Sequence, residues 1–211
     1  MIRLASGLVL AAAALAAIAF LPSSLLVFVA LGVALLGVRE FIGIVTKTGL
    51  MATPLGAVVG GIYVGVPLAM LVGVRELTGR EGVLLLLGTI VASDSAQYYS
   101  GRMLGRHLLA PSVSPKKTIE GAVGGLIAGT AVMAGVGRYV FPSTDAFALA
   151  SLGLALAVLG ICGDLFESWL KRRANLKDSS SLIPGHGGVL DRIDALLFAT
   201  PAFYLFVRGL A

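Results

Sequence analysis

The chain has 211 residues, of which 57% are hydrophobic and only 13% are charged, and its mean hydropathy is +0.97. Soluble domains carry about 25% charged residues, so this composition excludes an ordinary soluble domain and predicts an integral membrane protein. The formal net charge of +5 fits basic cytoplasmic loops better than nucleic-acid binding, and no nucleic-acid partner is expected. The single cysteine, Cys162, excludes a disulfide framework or a cysteine metal site within one chain.

The N-terminal part, residues 1–80, contains three apolar segments, which lie at about 4–21, 24–45 and 51–73. A span needs roughly 20 apolar residues, so three transmembrane helices are predicted here. The first segment also fits a secretory signal peptide, but its length and the lack of a soluble domain after it favour a span. An adjacent charged pair, Arg39 and Glu40, lies near the end of the second segment.

The C-terminal part, residues 81–211, contains four further apolar segments, which lie at about 82–101, 119–141, 146–170 and 189–208. It is interpreted as the catalytic region, and it carries two charged loops, 102–118 and 171–188. The run GAVGGLIAG from Gly121 places small residues at helical spacing, which predicts a helix-packing face. The expected fold is an all-α integral membrane protein with about seven transmembrane helices.

The distribution of lysine and arginine predicts the orientation. With the N-terminus in the cytoplasm, most basic residues fall on the cytoplasmic side, and Arg75, Arg80, Arg138 and Arg208 fall outside. This bias agrees with the positive-inside rule. Both charged loops then lie in the cytoplasm, where nucleotides are, and the expected location is a bacterial-type inner (plasma) membrane that the chain crosses several times.

Four carboxylates lie near the predicted cytoplasmic helix ends in two pairs with a three-residue spacing: Asp164 with Glu167, and Asp191 with Asp194. Residues three apart share a helix face. One interpretation is ion pairing with Arg172 and Arg192. The other is an oxygen-ligand site for a hard divalent cation such as Mg²⁺, which the functional bias of intramembrane acids favours.

The loop between these acids combines basic residues with glycines. Lys171, Arg172, Arg173 and Lys177 would suit anionic lipid headgroups as well as a phosphate substrate. Gly185, Gly187 and Gly188 would let the backbone approach a ligand just before a helix whose N-terminus offers N–H groups to phosphate. His186 is more readily explained as a structural or phosphate-contacting residue than as a general base.

Two other polar stretches precede this loop. SPKKTIEG at 114–121 offers Lys116 and Lys117, with Ser114 or Thr118 as a helix cap, and fits either a capped, anchored helix or a phosphate site. Asp94 lies four residues before Tyr98 on one helix face. A helix-packing hydrogen-bond network and a site role are both open for Asp94.

These stretches resemble a known family. SWLKRRANLKDSSSLIPGHGGVLDRID at 168–194 resembles the signature of the phosphatidate cytidylyltransferases, also called CDP-diglyceride synthases. SPKKTIEG resembles an upstream loop of the same family. DSAQYYSG at 94–101 is similar to a third element, D-[ST]-x-A-Y-x-x-G, with glutamine in place of its alanine. The resemblance covers about 90–211, and the N-terminal part matches only as generic spans.

The resemblance implies transfer of the cytidylyl group of CTP to phosphatidate, giving CDP-diacylglycerol and pyrophosphate in phospholipid biosynthesis. It implies Mg²⁺ held by Asp164, Asp191 and Asp194, with a second metal or K⁺ sharing the site, and a homodimer in contact with membrane lipid. The catalytic residues expected are Asp164, Lys171, Lys177, Asp178, His186, Asp191, Arg192 and Asp194. The substrate-binding residues expected are Asp94, Ser114, Lys116, Lys117, Thr118, Glu120, Glu167, Ser168, Arg172, Gly187 and Gly188.

Two other activities compete with this interpretation. A secondary transporter also uses intramembrane acids, glycines and prolines. Against it, the charges lie at one end of the helices, and no inverted repeat is evident. A CTP-using polyprenol kinase is closer, and it would leave CDP rather than pyrophosphate. A non-catalytic relative is disfavoured because every charged position of the signature is intact.

Overall fold

The computed structural model describes residues 2–183, 185 and 187–210. Its helices are α1 (Ile2–Phe20), α2 (Ser23–Lys47), α3 (Thr53–Gly60), α4 (Val66–Leu104), α5 (Ile119–Val140), α6 (Ala146–Arg173) and α7 (Leu190–Leu210). A π-helical turn, Gly61–Gly65, joins α3 to α4. Two short antiparallel strands, β1 (Leu108–Ala110) and β2 (Ser114–Thr118), lie where the sequence predicted only a loop. The chain is therefore largely helical, as predicted, with one small hairpin.

Several helices have the length and composition of membrane spans. Among the described residues, five stretches qualify: Ser23–Lys47, Thr53–Leu104, Ile119–Val140, Ala146–Arg173 and Leu190–Leu210. Large apolar side chains such as Phe28 and Leu35 face outward from the bundle. Such outward apolar surface is what a lipid environment allows. The multi-helix membrane class is confirmed, while the count of seven spans and the orientation stay predictions.

The long stretch Thr53–Leu104 reverses direction at Gly79. Gly79 has φ 69° and ψ −165°, a backbone conformation that glycine adopts without steric cost. Before it, the Tyr63 ring lies 6.2 Å from the Phe198 ring of α7, between centroids. After it, Asp94 lies close enough to Asp194 for electrostatic interaction. The parts of this stretch before and after Gly79 therefore run beside α7 in opposite directions. Both ends of the stretch lie at the same end of the bundle.

Two apolar clusters hold the bundle together, and α7 contributes to both. One is built around α4, α5, α6 and α7 and includes Leu86, Met133, Leu156 and Phe203. The other joins α2, the π-helical turn and the start of α4 to α7, through Phe41, Val64, Leu68 and Leu197 among others. Because both clusters meet on α7, the position of its first turn depends on α2 as well as on α6.

The glycine-rich face of α5 packs as the sequence predicted. A Cβ on Gly125 would lie 2.9 Å from the carbonyl oxygen of Ser93 on α4. A Cβ on Gly121 would lie 2.8 Å from the carbonyl oxygen of Gln97, one turn further along α4. The four-residue spacing of the glycines therefore lets the two backbones approach closely.

Replacing Gly125 with leucine is expected to lower the free energy of unfolding by about 1–3 kcal/mol, because the side chain would have to separate two packed helices. Gly135, on the same helix, provides the matched leucine substitution as a control, since a Cβ there would contact, among the described residues, no atom within 4 Å beyond its chain neighbours and the local backbone of its own helix. Thermal unfolding of both variants in detergent checks the prediction. Equal unfolding midpoints for the two variants would contradict this packing.

Candidate active site

The predicted acids of α6 and α7 are brought together by a close helix crossing at Gly163. A Cβ on Gly163 would lie 3.1 Å from the carbonyl carbon of Asp194 and 3.2 Å from Cα of Ala195. No larger residue fits there without separating the helices. Asp164, the next residue, and Asp194 therefore lie on either side of the contact, and they interact electrostatically.

Asp164 contacts a residue from each of the two sequence motifs. Lys117 Nζ, on β2, lies 2.5 Å from Asp164 Oδ2 on α6. Ser168 Oγ, one turn further along α6, donates to Asp164 Oδ1 over 3.3 Å. Asp164 is thus held by residues from both the SPKKTIEG stretch and the 168–194 signature, which lie at the same end of the bundle.

A second lysine lies between two more acids. Lys171 forms ion pairs with Glu167, one turn before it on α6, and with Asp191 in the first turn of α7. The Glu167 side chain is 0% exposed, and that of Asp191 is 6% exposed. Among the described residues, Asp164, Glu167 and Asp191 form ion pairs with Lys117 and Lys171, whereas the sequence suggested Arg172 and Arg192 as partners.

Backbone donors fix the orientation of Asp191. Its Oδ2 accepts hydrogen bonds from the amides of Ser179 and Gly188, each over 2.8 Å. Ser179 Oγ also lies 2.8 Å from Oδ2. The Gly188 amide, expected to be open to phosphate, is therefore occupied by a protein carboxylate in this structure. Substrate binding by Gly188 stays a prediction that would require this hydrogen bond to open.

Acidic groups outnumber cations within the cluster around Asp164 and Asp191. Asp94 interacts electrostatically with Asp164 and Lys117, so it belongs to the cluster. The cluster then holds five carboxyl groups with the ammonium groups of Lys117 and Lys171, and Arg192 would add one more cation. The carboxyl groups are Asp94, Asp164, Glu167, Asp191 and Asp194. Such an excess would be relieved by a bound metal cation.

The SPKKTIEG stretch has mainly structural contacts apart from Lys117. Thr118 Oγ1 accepts from the Gly121 amide over 3.1 Å, so Thr118, rather than Ser114, caps α5. Glu120 binds His107 Nδ1 at 2.6 Å and the amides of Arg106 and His107. Glu120 therefore fixes the turn after α4 in this structure. Ser114 lies at the start of β2, and Lys116 is exposed on it.

The remaining signature residues are spread around the loop after α6. Arg172 Nη1 donates to the carbonyl of Leu176, and Arg172 Nε to that of Val113, which ties this loop to the β hairpin. Lys177 and Asp178 are exposed. Gly187 has φ 80°, and its carbonyl accepts from the Ile183 amide over 2.8 Å. His186 lies outside the described residues.

The sequence interpretation missed two residues near the site. Glu40, noted only as part of a charged pair, lies buried against the start of α7. Tyr63, in the π-helical turn, is close enough to Asp194 and Glu167 to interact electrostatically, and its hydroxyl has no hydrogen-bond partner in the described part of the chain. A carboxylate inside an apolar segment was a usable signal for Glu40. Nothing in the sequence distinguished Tyr63 from a core aromatic residue.

The fold and the site together define a class of protein: a membrane-embedded helical bundle with its acids and lysines gathered at one end. The family model described as "Cytidylyltransferase family" matches residues 50–210, which is most of the chain. The chain therefore belongs to the cytidylyltransferase family.

Curated relatives match about 60–67% of the chain. A Helicobacter pylori protein named phosphatidate cytidylyltransferase is 38% identical over 142 residues, covering 67% of this chain and 53% of the relative. A Brucella suis protein of the same name is 42% identical over 131 residues, covering 62% and 48%. An Escherichia coli protein named "Uncharacterized protein YnbB" is 44% identical over 126 residues, covering 60% and 42%. The chain spans about half the length of the curated relatives it matches.

Proposed function

We propose that the chain is a phosphatidate cytidylyltransferase, which transfers the cytidylyl group of CTP to phosphatidate and releases pyrophosphate. The observation that carries the proposal is that Lys117 of the SPKKTIEG stretch and Ser168 of the 168–194 signature both contact Asp164, which brings the two separate family motifs to one carboxylate. Membership of the cytidylyltransferase family and the names of the relatives support the same chemistry.

The reaction needs positioning and charge neutralisation more than proton transfer. A phosphate oxygen of phosphatidate forms a bond to the α-phosphorus of CTP. The bond from that phosphorus to the oxygen bridging to the β-phosphate breaks, and pyrophosphate leaves with the electron pair. Since the nucleophile is already an anion, no general base is required. Neutralising the phosphate oxygens is therefore the main task of the site.

We assign this task to the lysines of the cluster. Lys117 and Lys171 would bind phosphate oxygens, since each ammonium group lies against the carboxylates proposed to hold the metal. Arg172, Lys177 and Arg192 would extend the cationic surface to the rest of the triphosphate, and Lys116 is a further candidate for the lipid phosphate. The acyl chains would enter from the bilayer between the helices.

Mg²⁺ is proposed as the cofactor, held by Asp164, Asp194 and Asp191. The donor chemistry fits, because these are hard oxygen ligands in an acidic cluster. Within residues 2–183, 185 and 187–210, no group of three or more acids, histidines or cysteines is already arranged around a metal position. Lys117 and Lys171 would therefore have to yield part of their contacts with Asp164 and Asp191. When bound, Mg²⁺ would neutralise phosphate oxygens, and a second metal or K⁺ would add to that effect.

Labelled CTP tests the proposed function. With label at the α-phosphate, purified protein with phosphatidate and Mg²⁺ is expected to produce labelled lipid. With label at the γ-phosphate, the label is expected in pyrophosphate and not in lipid. Transfer of the γ-label to a polyprenol acceptor, with CDP left behind, would replace the proposal with a lipid kinase.

The membrane arrangement is proposed together with the activity: about seven spans, a cytoplasmic N-terminus, a homodimer and a bacterial-type inner membrane. Placement of both charged loops in the cytoplasm gives the site access to CTP, and the positive-inside rule supports this orientation. The turn between α5 and α6 would then lie outside.

Cysteine labelling tests this orientation after the native Cys162 is replaced by serine. A cysteine at Ser143, exposed between α5 and α6, is expected to react with a membrane-impermeant maleimide in intact cells. A cysteine at Ser112, exposed between β1 and β2, is expected to react only after the membrane is permeabilised. The reverse pattern would overturn the orientation.

A further inference from the structure

Glu40 is a buried carboxylate on α2, in a part of the chain that precedes the residues matched by the family model. It is 8% exposed and accepts four hydrogen bonds. Its Oε1 accepts from Ser180 Oγ at 2.7 Å and the Val189 amide at 3.1 Å. Its Oε2 accepts from Ser179 Oγ at 2.9 Å and the Leu190 amide at 2.8 Å. Each oxygen thus receives one hydroxyl and one amide.

These contacts tie the middle of the segment between α6 and α7 to its end. Ser179 and Ser180 follow the end of α6 by six and seven residues, and Val189 and Leu190 lie where α7 begins. Amides at a helix N-terminus lack partners within the helix, and a carboxylate there is favoured by the helix dipole. One side chain from α2 therefore both caps α7 and fixes the loop that precedes it.

The same contacts lead directly to Asp191. Ser179 Oγ lies within hydrogen-bonding distance of both Glu40 Oε2 and Asp191 Oδ2. The Ser179 amide also donates to Asp191. A shift of Ser179 would therefore remove the amide hydrogen bond from Asp191, the acid that pairs with Lys171.

Gly188 is explained by the same arrangement. A Cβ on Gly188 would lie 2.5 Å from Glu40 Oε1, so a side chain has no room there. The glycine that the sequence analysis assigned to phosphate binding is thus required, in this structure, for the approach of Glu40 to the start of α7.

We propose that Glu40 is a positioning residue for the cytidylyl transfer: from α2 it holds Ser179 and Ser180 together with the start of α7 at Val189 and Leu190, in the arrangement that presents Asp191. This inference rests on the proposed function for its effect on catalysis. In this assignment Glu40 contacts neither the substrate nor a metal, and it acts through Ser179 and the start of α7, which hold Asp191. The helix α2, which precedes the residues that the family model matches, would therefore contribute to the active site through Glu40.

The test compares Glu40→Ala and Glu40→Gln with Glu76→Gln, which alters an exposed carboxylate on α4. The alanine variant is expected to lower kcat about 10–100-fold with the KM for CTP changed less than about twofold, as for residues that orient a catalytic group. The glutamine variant is expected to lose much of kcat as well, since its NH₂ group would face donors. Glu76→Gln is expected to retain the wild-type rate.

Hydrogen exchange provides a second measurement that does not depend on activity. The amides of Val189 and Leu190 donate to Glu40, so their exchange is expected to accelerate at least tenfold in Glu40→Ala, while α4 and α5 keep their protection. Wild-type exchange at 189–190 together with wild-type kcat would overturn the inference. Uniform loss of protection would show a general folding role instead and would also overturn it. If the wild-type protein releases no pyrophosphate, the proposed function fails, and the exchange result still decides whether Glu40 holds this loop.

Discussion

Replacing Lys171 with methionine is expected to lower the free energy of unfolding by about 3–5 kcal/mol, the usual cost of removing one partner from a buried ion pair. The ammonium group pairs with Glu167 and Asp191, and both carboxylates are nearly inaccessible to solvent. Without it, two buried acids would lie close together with no ammonium group between them. Unfolding in detergent, followed by intrinsic fluorescence of the single Trp169, measures the effect.

A second substitution makes this prediction specific. Glu167→Gln combined with Lys171→Met removes one of the two buried carboxylates that lose their ammonium partner. The double variant is therefore expected to be more stable than Lys171→Met alone. Activity is not expected to recover, because Asp191 still lacks its partner. Lys177→Met, at an exposed lysine of the same loop, controls for loss of positive charge. Equal stability of Lys171→Met and the wild type would show that the ion pairs contribute little.

Asp164→Asn is expected to reduce the rate of CDP-diacylglycerol formation by about 10²–10³-fold, a typical loss when one preorganised electrostatic group is removed from an active site. Stability should change much less, because Asp164 is partly exposed and asparagine can still accept from Ser168. The rate is measured with CTP and phosphatidate in detergent micelles.

The matched control for Asp164 is Glu81→Gln, which changes an exposed acid beside the Gly79 turn, at the other end of the bundle. It is expected to retain the wild-type rate. Full activity of Asp164→Asn at normal expression would remove Asp164 from the site and with it the proposed metal assignment.

The helices and the general location of the site follow from local patterns. Long apolar runs predicted α2, α5, α6 and α7 within a few residues, because hydropathy and length determine membrane spans. The predicted segments 51–73 and 82–101 correspond instead to α3, the π-helical turn and α4, whose two parts meet at the non-helical Gly79. Small residues at four-residue spacing predicted the face of α5 that contacts α4. The predicted orientation put both charged loops on the same side of the membrane, so the two motifs were expected to lie close together. The contacts of Lys117 and Ser168 with Asp164 agree with that expectation.

Pairing partners could not be predicted, because they depend on tertiary contacts between distant segments. The sequence suggested Arg172 as a partner for the acids, but its side chain donates to backbone carbonyls of Val113 and Leu176. The contact of Glu40 with Ser180 joins residues 140 positions apart. A glycine-rich helix start predicts backbone amides that are free to bind a ligand. Only the packing of α2 against α7 shows that two of them, at Val189 and Leu190, donate to the Glu40 carboxylate.

Pyrophosphate release tests most directly the claim that the acids at this end of the bundle carry out cytidylyl transfer. Wild-type protein, Asp191→Asn and Asp145→Asn would be compared with CTP, phosphatidate and Mg²⁺. Asp145 caps the opposite end of α6, and asparagine is an equally good cap, so this variant is the control. Release that needs both substrates and the metal, that persists in Asp145→Asn and that is lost in Asp191→Asn is the predicted result. Release by Asp191→Asn at the wild-type rate would contradict the account.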